Sequence, residues 1–535
     1  MSATAAASRT AVANARQRLP AWLPLAVLVV LAAGLRLSTL GLQSFWYDEA
    51  FTPVHVLHAS LGATLRAMVH TENTPPLWYL IEWVDARVLG TGEVALRLPS
   101  ALAGIATVPV VWAIGEELGG RRAGLVAAAL VAVNPLFVWY SQEARAYGLF
   151  VLTAALAMLC FLRAEREPTR ARMGAFAFTG ALALLTHYFA LFLLIPMVLW
   201  MVRERITRRA ALPAIGILGI VGLALLPLIS AQGGHGTQWI GRWALSSRLE
   251  AIPQYYLTGY SGAPLGHAVE LLVALPIVVG LAVALWRMLD GGPPTTARAT
   301  PEGDAGSRAS ARGVSRPQRR TGAGVPRGSQ IALLVAAGGI LTPIALAILG
   351  ADYLAPRNLV AAMVPVTGLI AVMLTSPQAG RLGIVLAATI AVAFLILSID
   401  VNLSPRLQRG NWRAVARALR GQGSEQAITT VELGAAPLEY YLPGLRNLGR
   451  GTSATVGEID ETGYAPLRAS AGRSPAPGFR PLDRLDLDGL LVYRFVSPIA
   501  RAVSEATLRR HVITLAHPEV LVPPHAHVTF TPSPG

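Results

Sequence analysis

Apolar runs long enough to cross a bilayer recur along this chain, and that feature constrains its fold more than any single motif. About 20 helical residues span the hydrocarbon core. The stretches 21–40, 98–115, 123–140, 146–163, 174–187, 188–202, 211–230, 267–287, 330–350, 359–375 and 382–399 approach that length. Of 535 residues, 53% are hydrophobic and 14% charged. Arg9, Arg16 and Arg18 precede the first run as they would in a signal sequence, but the further runs argue for an uncleaved first helix. The expected class is an α-helical polytopic membrane protein with about eleven transmembrane helices.

The net charge is +15, and all 45 basic residues are Arg. They cluster at Arg9 to Arg18, Arg121-Arg122, Arg163 to Arg172, Arg203 to Arg209, Arg298 to Arg327 and Arg381. Clusters between alternate apolar runs mark cytoplasmic loops, so the positive charge implies no nucleic-acid partner. This pattern places the N-terminus in the cytoplasm and the chain beyond Asp400 outside. Two domains are expected: residues 1–399 in the membrane and residues 400–535 as a small extracytoplasmic α/β domain. Within the first, residues 290–330 are rich in Gly, Pro, Ser, Thr and Arg and read as a disordered cytoplasmic loop. Cys160 is the one cysteine, which excludes a disulfide within the chain and argues against a cysteine-rich metal site.

The orientation gathers the informative polar residues on the outer side. Phe45-Trp46-Tyr47-Asp48-Glu49-Ala50 follows the first run. Aromatic rings favour the membrane interface, whereas carboxylates there are costly without a partner or a task. Asp48 can cap a short helix or act in chemistry. Val54, Leu57, Leu61, Leu65 and Met68 repeat at helical spacing, as do residues from Leu77 to Leu89, so two amphipathic surface helices are expected. Between them Pro75-Pro76 stiffens the chain near His70 and Glu72. The next outer turn, Trp139 to Tyr147, holds Glu143 and Arg145, which can be a structural ion pair at a helix end. A later turn, Asp352 to Asn358, holds Tyr353 and Arg357. Arg357 can anchor the interface or bind a phosphate through its guanidinium. Beyond Asp400, Asn411 to Leu419 reads as helix, and Ala427 to Leu433 and Leu490 to Val496 read as strands. Tyr440-Tyr441 reads as core or loop, with a sugar-stacking surface as the alternative.

Taken in order, Trp46-Tyr47-Asp48-Glu49-Ala50, Glu72-Asn73-Thr74-Pro75-Pro76-Leu77-Trp78-Tyr79, Leu96-Arg97-Leu98-Pro99-Ser100 and Tyr140-Ser141-Gln142-Glu143-Ala144-Arg145-Ala146-Tyr147 resemble the GT-C glycosyltransferases. The resemblance is to the bacterial branch related to protein O-mannosyltransferases and the lipid A aminoarabinose transferase. It is strongest over residues 20 to 200 and slight beyond Ser398. It implies a GT-C fold and transfer, with inversion, of a sugar from a polyprenyl-phosphate donor to a glycan, lipid or protein hydroxyl outside the cytoplasmic membrane.

In the family an acidic residue of the first outer loop is essential. Asp48 matches it, with Glu49 beside it, and Arg357 matches the late Arg that contacts the lipid phosphate. Asn358 stands where relatives often carry Tyr, and the family's phosphate-binding Lys has no counterpart, so Arg145 is the replacement candidate. Trp46, Tyr47, Glu72, Glu143, Tyr147, His187 and Tyr353 are expected to line the substrate pocket with them. No cofactor is required by this reading; a divalent metal at His70, Glu72 and His187 is an alternative to ordinary hydrogen bonding, although their spacing matches no ligand motif. A transporter or lipid flippase is the competing class, and a non-catalytic lipid-binding relative a third. Transport would favour polar residues or helix breaks near mid-membrane in paired repeats, whereas here they collect at outer span ends.

Overall fold

The computed structural model describes residues 20, 22–235, 237, 239–260, 326–420, 425–511, 513–514 and 518–530, with Val278 and Ala282 besides. The apolar stretch 267–287 and nearly all of the 290–330 loop lie outside the described residues, so those two expectations are not addressed.

The membrane part is built from helices that follow the apolar runs. They are α1 (Leu23–Leu37), α2 (Tyr47–Phe51), α3 (Leu61–Thr71), α4 (Leu77–Val88), α5 (Glu93–Val133), α6 (Pro135–Ser141), α7 (Tyr147–Arg166), α8 (Arg170–Thr186), α9 (Ala190–Arg203), α10 (Arg205–Gln232), α11 (Leu245–Thr258), α12 (Arg327–Ile348), α13 (Met363–Thr375) and α14 (Gly380–Leu403). Among the described residues, six helical segments are long and apolar enough to span a membrane, counting the 3-10 turn Pro356–Ala362 with α13. Helices α1 and α9 are shorter apolar helices.

The runs 98–115 and 123–140 belong largely to one element, α5, broken at Gly119-Gly120, where Gly120 adopts φ 80°. Its two halves fold back tightly. A Cβ at Gly124 would lie 2.7 Å from the Trp112 carbonyl oxygen, and one at Gly115 would lie 2.8 Å from that of Ala123. Close backbone approach of this kind admits only glycine.

The first outer loop departs from expectation. The apolar spacing from Val54 to Met68 suggests one helix, yet α2 runs into a π-helical turn at Thr52–Val56 and the chain then opens before α3. Pro53 sits in that turn, and the Ser60 side chain accepts from the Ala63 N–H (3.2 Å), starting α3 afresh. Helix α4 forms as expected.

Beyond α14 comes α15 (Trp412–Leu419), whose Asn411 cap accepts from the Ala414 N–H. There follow β1 (Gln426–Thr430), α16 (Ala435–Tyr441), β2 (Arg446–Asn447), β3 (Thr452–Tyr464), β4 (Arg480–Leu487), β5 (Leu490–Ser504), α17 (Glu505–Arg510), β6 (Glu519–Val522) and β7 (Val528–Phe530). The sheet order is β2-β6-β1-β3-β5-β4, with β7 on β3. Strands β1 and β3 are parallel, joined across α16, and the other pairs are antiparallel. Alternation divides the sheet. Ala427, Ile459, Phe495 and Val520 pack on one face, while Ile428, Val492 and Leu521 face the other together with Trp412 and, from the first outer loop, Trp46.

That second face docks the C-terminal sheet domain onto the loop. Ser44 Oγ donates to the Gly410 carbonyl (2.9 Å) and accepts from the Trp412 N–H (3.0 Å). The Phe45 N–H donates to the Tyr441 hydroxyl (2.8 Å), which itself donates to Glu93. Tyr440 donates to the Thr91 carbonyl (2.9 Å). The two tyrosines therefore join domains rather than forming an open stacking surface.

Candidate active site

Four carboxylates and four guanidiniums meet where the first outer loop, the α6–α7 turn, the 351–358 turn and the α14–α15 connection converge. They pair one to one, and the pairs differ in what encloses them.

Glu49 lies on α2 directly beneath the loop. Arg97, in the first turns of α5, grips it through Nε (2.7 Å) and Nη2 (2.6 Å), and the same guanidinium donates to the carbonyls of Leu40, Gln43 and Ser44. The Ala144 N–H adds a bond to Glu49 (3.0 Å). Burial pushes the Glu49 carboxyl up, but Arg97, Arg409 and these hydrogen bonds together hold it below the usual carboxylate value. Both side chains are enclosed, at 0% and 1% exposure. The expectation that Glu49 shares the catalytic role with Asp48 meets a carboxylate whose oxygens are already occupied.

Asp48, one residue earlier, points the other way. Its Oδ2 accepts from Arg357 Nη1 at 2.6 Å across 309 residues of sequence, and both side chains remain 17–19% exposed. The Arg357 guanidinium lies 4.9 Å from the Trp239 ring centre and 5.9 Å from that of Tyr147, so aromatic faces flank the cation. Arg248 holds the 351–358 turn, binding Asp352 through two bonds (2.6 and 2.8 Å) and the Leu354 carbonyl. The Asn358 amide closes the turn onto the Tyr353 carbonyl (3.1 Å). The Tyr353 side chain itself is exposed.

Arg145 binds Glu72 through two bonds of 3.0 Å and donates to the Asp48 carbonyl (3.3 Å), so it braces the loop from below. Glu143 pairs with Arg409 (3.2 Å), which also donates to Gln43, Gln142 and Trp139 and lies over the Trp139 ring. Burial raises the Glu143 carboxyl to about 7 despite Arg409, and its Oε1 has no hydrogen-bond partner. Tyr47 and Trp46 meet at a tilt with ring centres 4.6 Å apart, and Tyr260 joins Trp46 and Trp139 in an aromatic wall. Burial, with Tyr260 and Tyr464 nearby, raises the Tyr47 hydroxyl well above its ordinary range.

Of the remaining candidates, His187 lies beside Tyr147, their ring centres 5.9 Å apart. His187 stacks on Phe150 at 4.6 Å, and its Nδ1 accepts from the Phe189 N–H. Glu72 is taken by Arg145, and His70 is exposed on α3. Among the described residues no three His, Cys, Asp or Glu side chains gather as a metal would require, so the proposed set His70, Glu72 and His187 does not assemble. Sequence reading gave no role to Arg97 or Arg409 and passed over Trp239 and Tyr260. A charge opening an apolar run was the available signal for Arg97; nothing local marked Arg409.

Residues 73–231 match the family model of dolichyl-phosphate-mannose-protein mannosyltransferases. YycA of Bacillus subtilis (strain 168), a mannosyltransferase by name only, is 24% identical over 199 residues, covering 36% of this chain and 28% of the relative. The chain thus aligns with well under two thirds of that relative's length. Among solved structures, ArnT from Cupriavidus metallidurans bound to undecaprenyl phosphate is 11% identical, covering 88% of this chain and 97% of that one, with a TM-score of 0.49. The Archaeoglobus fulgidus oligosaccharyltransferase, in a complex with zinc and sulfate, is 15% identical over 75% of this chain and 56% of that one, with a TM-score of 0.42. Over residues 73–231, then, this chain is similar to the dolichyl-phosphate-mannose-protein mannosyltransferases.

Proposed function

We propose that the protein transfers a sugar from a polyprenyl-phosphate donor to an acceptor hydroxyl at the outer face of the membrane, with inversion. The observation that carries this reading is the 2.6 Å pair of Asp48 and Arg357, a carboxylate and an under-committed guanidinium facing each other in a partly open, aromatic-walled site. Asp48 takes the proton of the acceptor hydroxyl as the acceptor oxygen bonds to the sugar's anomeric carbon. The bond from that carbon to the phosphate oxygen breaks, its electron pair leaves with the phosphate, and Arg357 stabilises the charge that develops there. Trp239 and Tyr147 flank the cation and offer faces to the sugar and the isoprenoid.

Polar groups gather in outer loops and at span ends, which favours transfer over transport. The donor would be a polyprenyl-phosphate-linked sugar, and the acceptor a glycan, lipid or protein. The alternating Arg clusters support a cytoplasmic N-terminus and an extracytoplasmic outer domain. Purified protein incubated with a panel of radiolabelled polyprenyl-phosphate sugars should release labelled product from one of them; no transfer from any donor, with the lipid still bound, would replace the enzyme by a lipid-binding protein. For orientation, cysteines at Ile499 and Arg122, after Cys160→Ala, should label from outside intact cells at position 499 alone.

A further inference from the structure

The four guanidiniums of the site are not equally satisfied. Arg97 makes five hydrogen bonds, Arg145 four and Arg409 four. Among the described residues Arg357 makes one, to a single oxygen of Asp48. A guanidinium carries five N–H donors in a planar fork suited to two oxygens at once. Asp48, for its part, gives its side chain no other partner among the described residues. The two groups most exposed to a ligand are therefore held by each other, through the least complete of the four pairings.

Resting on the reading that Arg357 seats the donor's phosphate, we propose that Asp48 occupies that seat in the unliganded protein and is displaced by the lipid phosphate. A phosphate offers the fork two unbridged oxygens where Asp48 offers one, so the exchange gains a charge-assisted hydrogen bond. Displacement leaves the carboxylate without its cation and turns it toward the acceptor hydroxyl. The base becomes available only once a donor is seated, which imposes an order: donor first, acceptor second. No covalent change is involved; one anion replaces another on Arg357. The motion required is small, because the Asp48 backbone stays anchored through its carbonyl to Arg145 (3.3 Å) while the side chain swings free.

The test is binding of undecaprenyl phosphate to the purified full-length protein in detergent, with undecaprenol as the uncharged control. A seat open in about a tenth of molecules lowers apparent affinity about tenfold. Asp48→Asn should therefore bind undecaprenyl phosphate about tenfold more tightly than wild type, with no gain for undecaprenol, and Asp48→Ser should do the same. Arg357→Ala should bind it more weakly. Glu143→Gln removes a neighbouring negative charge without touching Arg357 and should give a much smaller gain. Unchanged or weaker binding in both Asp48 variants, or an equal gain in Glu143→Gln, overturns the displacement. In that event a loss in Arg357→Ala leaves the phosphate seat standing, whereas unchanged binding in Arg357→Ala removes the seat itself.

Discussion

Asp48 and Glu49 are neighbours on one turn of helix, yet they belong to different regions. Glu49 faces inward to a closed layer in which Arg97 binds it and three backbone carbonyls at once. Asp48 faces an open layer and holds one cation through one oxygen. A buried pair with every donor committed is costly to break, because the survivor is left as an uncompensated charge. A partly exposed pair with spare donors is easily exchanged for a ligand. The inner layer thus fixes the loop, and the outer layer is free for chemistry.

The largest effects should separate the two layers. Asp48→Asn keeps shape and removes the proton acceptor, so turnover should fall by about 10²–10⁴-fold while the melting temperature in detergent hardly moves. Glu49→Gln strands Arg97 and should cost about 3–5 kcal/mol of stability, visible as lost expression or a lower melting temperature. If Glu49→Gln melts like wild type and abolishes turnover, the roles given to the two carboxylates are reversed.

That division was not legible in the sequence, although much else was. Apolar runs announce helices because only a helix satisfies its backbone in hydrocarbon, and the spans near 146–163, 211–230 and 382–399 fall on α7, α10 and α14. Adjacent carboxylates, by contrast, carry no mark of which way each faces. A helix turns neighbours by about 100°, and only their distant partners decide. Arg97 lies 48 residues from Glu49, Arg357 lies 309 from Asp48, and Arg409 lies 266 from Glu143. Periodicity fails for a different reason at Val54 to Met68, where helical spacing continues through a break imposed locally by Pro53 and the Ser60 cap.

A pH titration sharpens the comparison inside the closed layer. The Glu143 carboxyl is raised from 4.5 to about 7 by burial, so the folded protein binds a proton there that the unfolded chain has lost. Stability should accordingly fall as pH rises from about 4.5 to about 7 and level off above. Glu49 has the opposite sign. Its carboxyl is lowered, so its contribution is present above 4.5 and lost as pH falls below that value. Glu143→Gln should flatten the first slope and leave the acid limb; a slope unchanged in that variant assigns it to another group.

A smaller effect is expected where the C-terminal domain grips the loop. Tyr441→Phe removes the acceptor for the Phe45 N–H and the donor to Glu93. Leaving a largely buried N–H without a partner costs about 1–3 kcal/mol. Melting should register that loss, and hydrogen exchange at residues 44–49 should quicken. Unaltered exchange there would mean the domain merely rests on the loop.

The smallest effect belongs to a bridge that looks similar on paper. Arg242, in the 3-10 turn after Trp239, pairs with Glu432 just past β1 (2.9 Å), and so also links the membrane part to the C-terminal domain. Both side chains are well exposed, at 47% and 41%. Water and salt screen such a pair, and holding two long side chains in one geometry costs entropy, so its contribution is about 0.2–1 kcal/mol and declines with ionic strength. Arg242→Ala should therefore melt within about 1 kcal/mol of wild type, and the gap should close in high salt. Trp239, three residues earlier, flanks Arg357. A fall in undecaprenyl phosphate affinity without a fall in stability would show that the turn, rather than the bridge, is what the open layer depends on. A stability loss as large as that of Glu49→Gln would break the distinction between closed and open pairs.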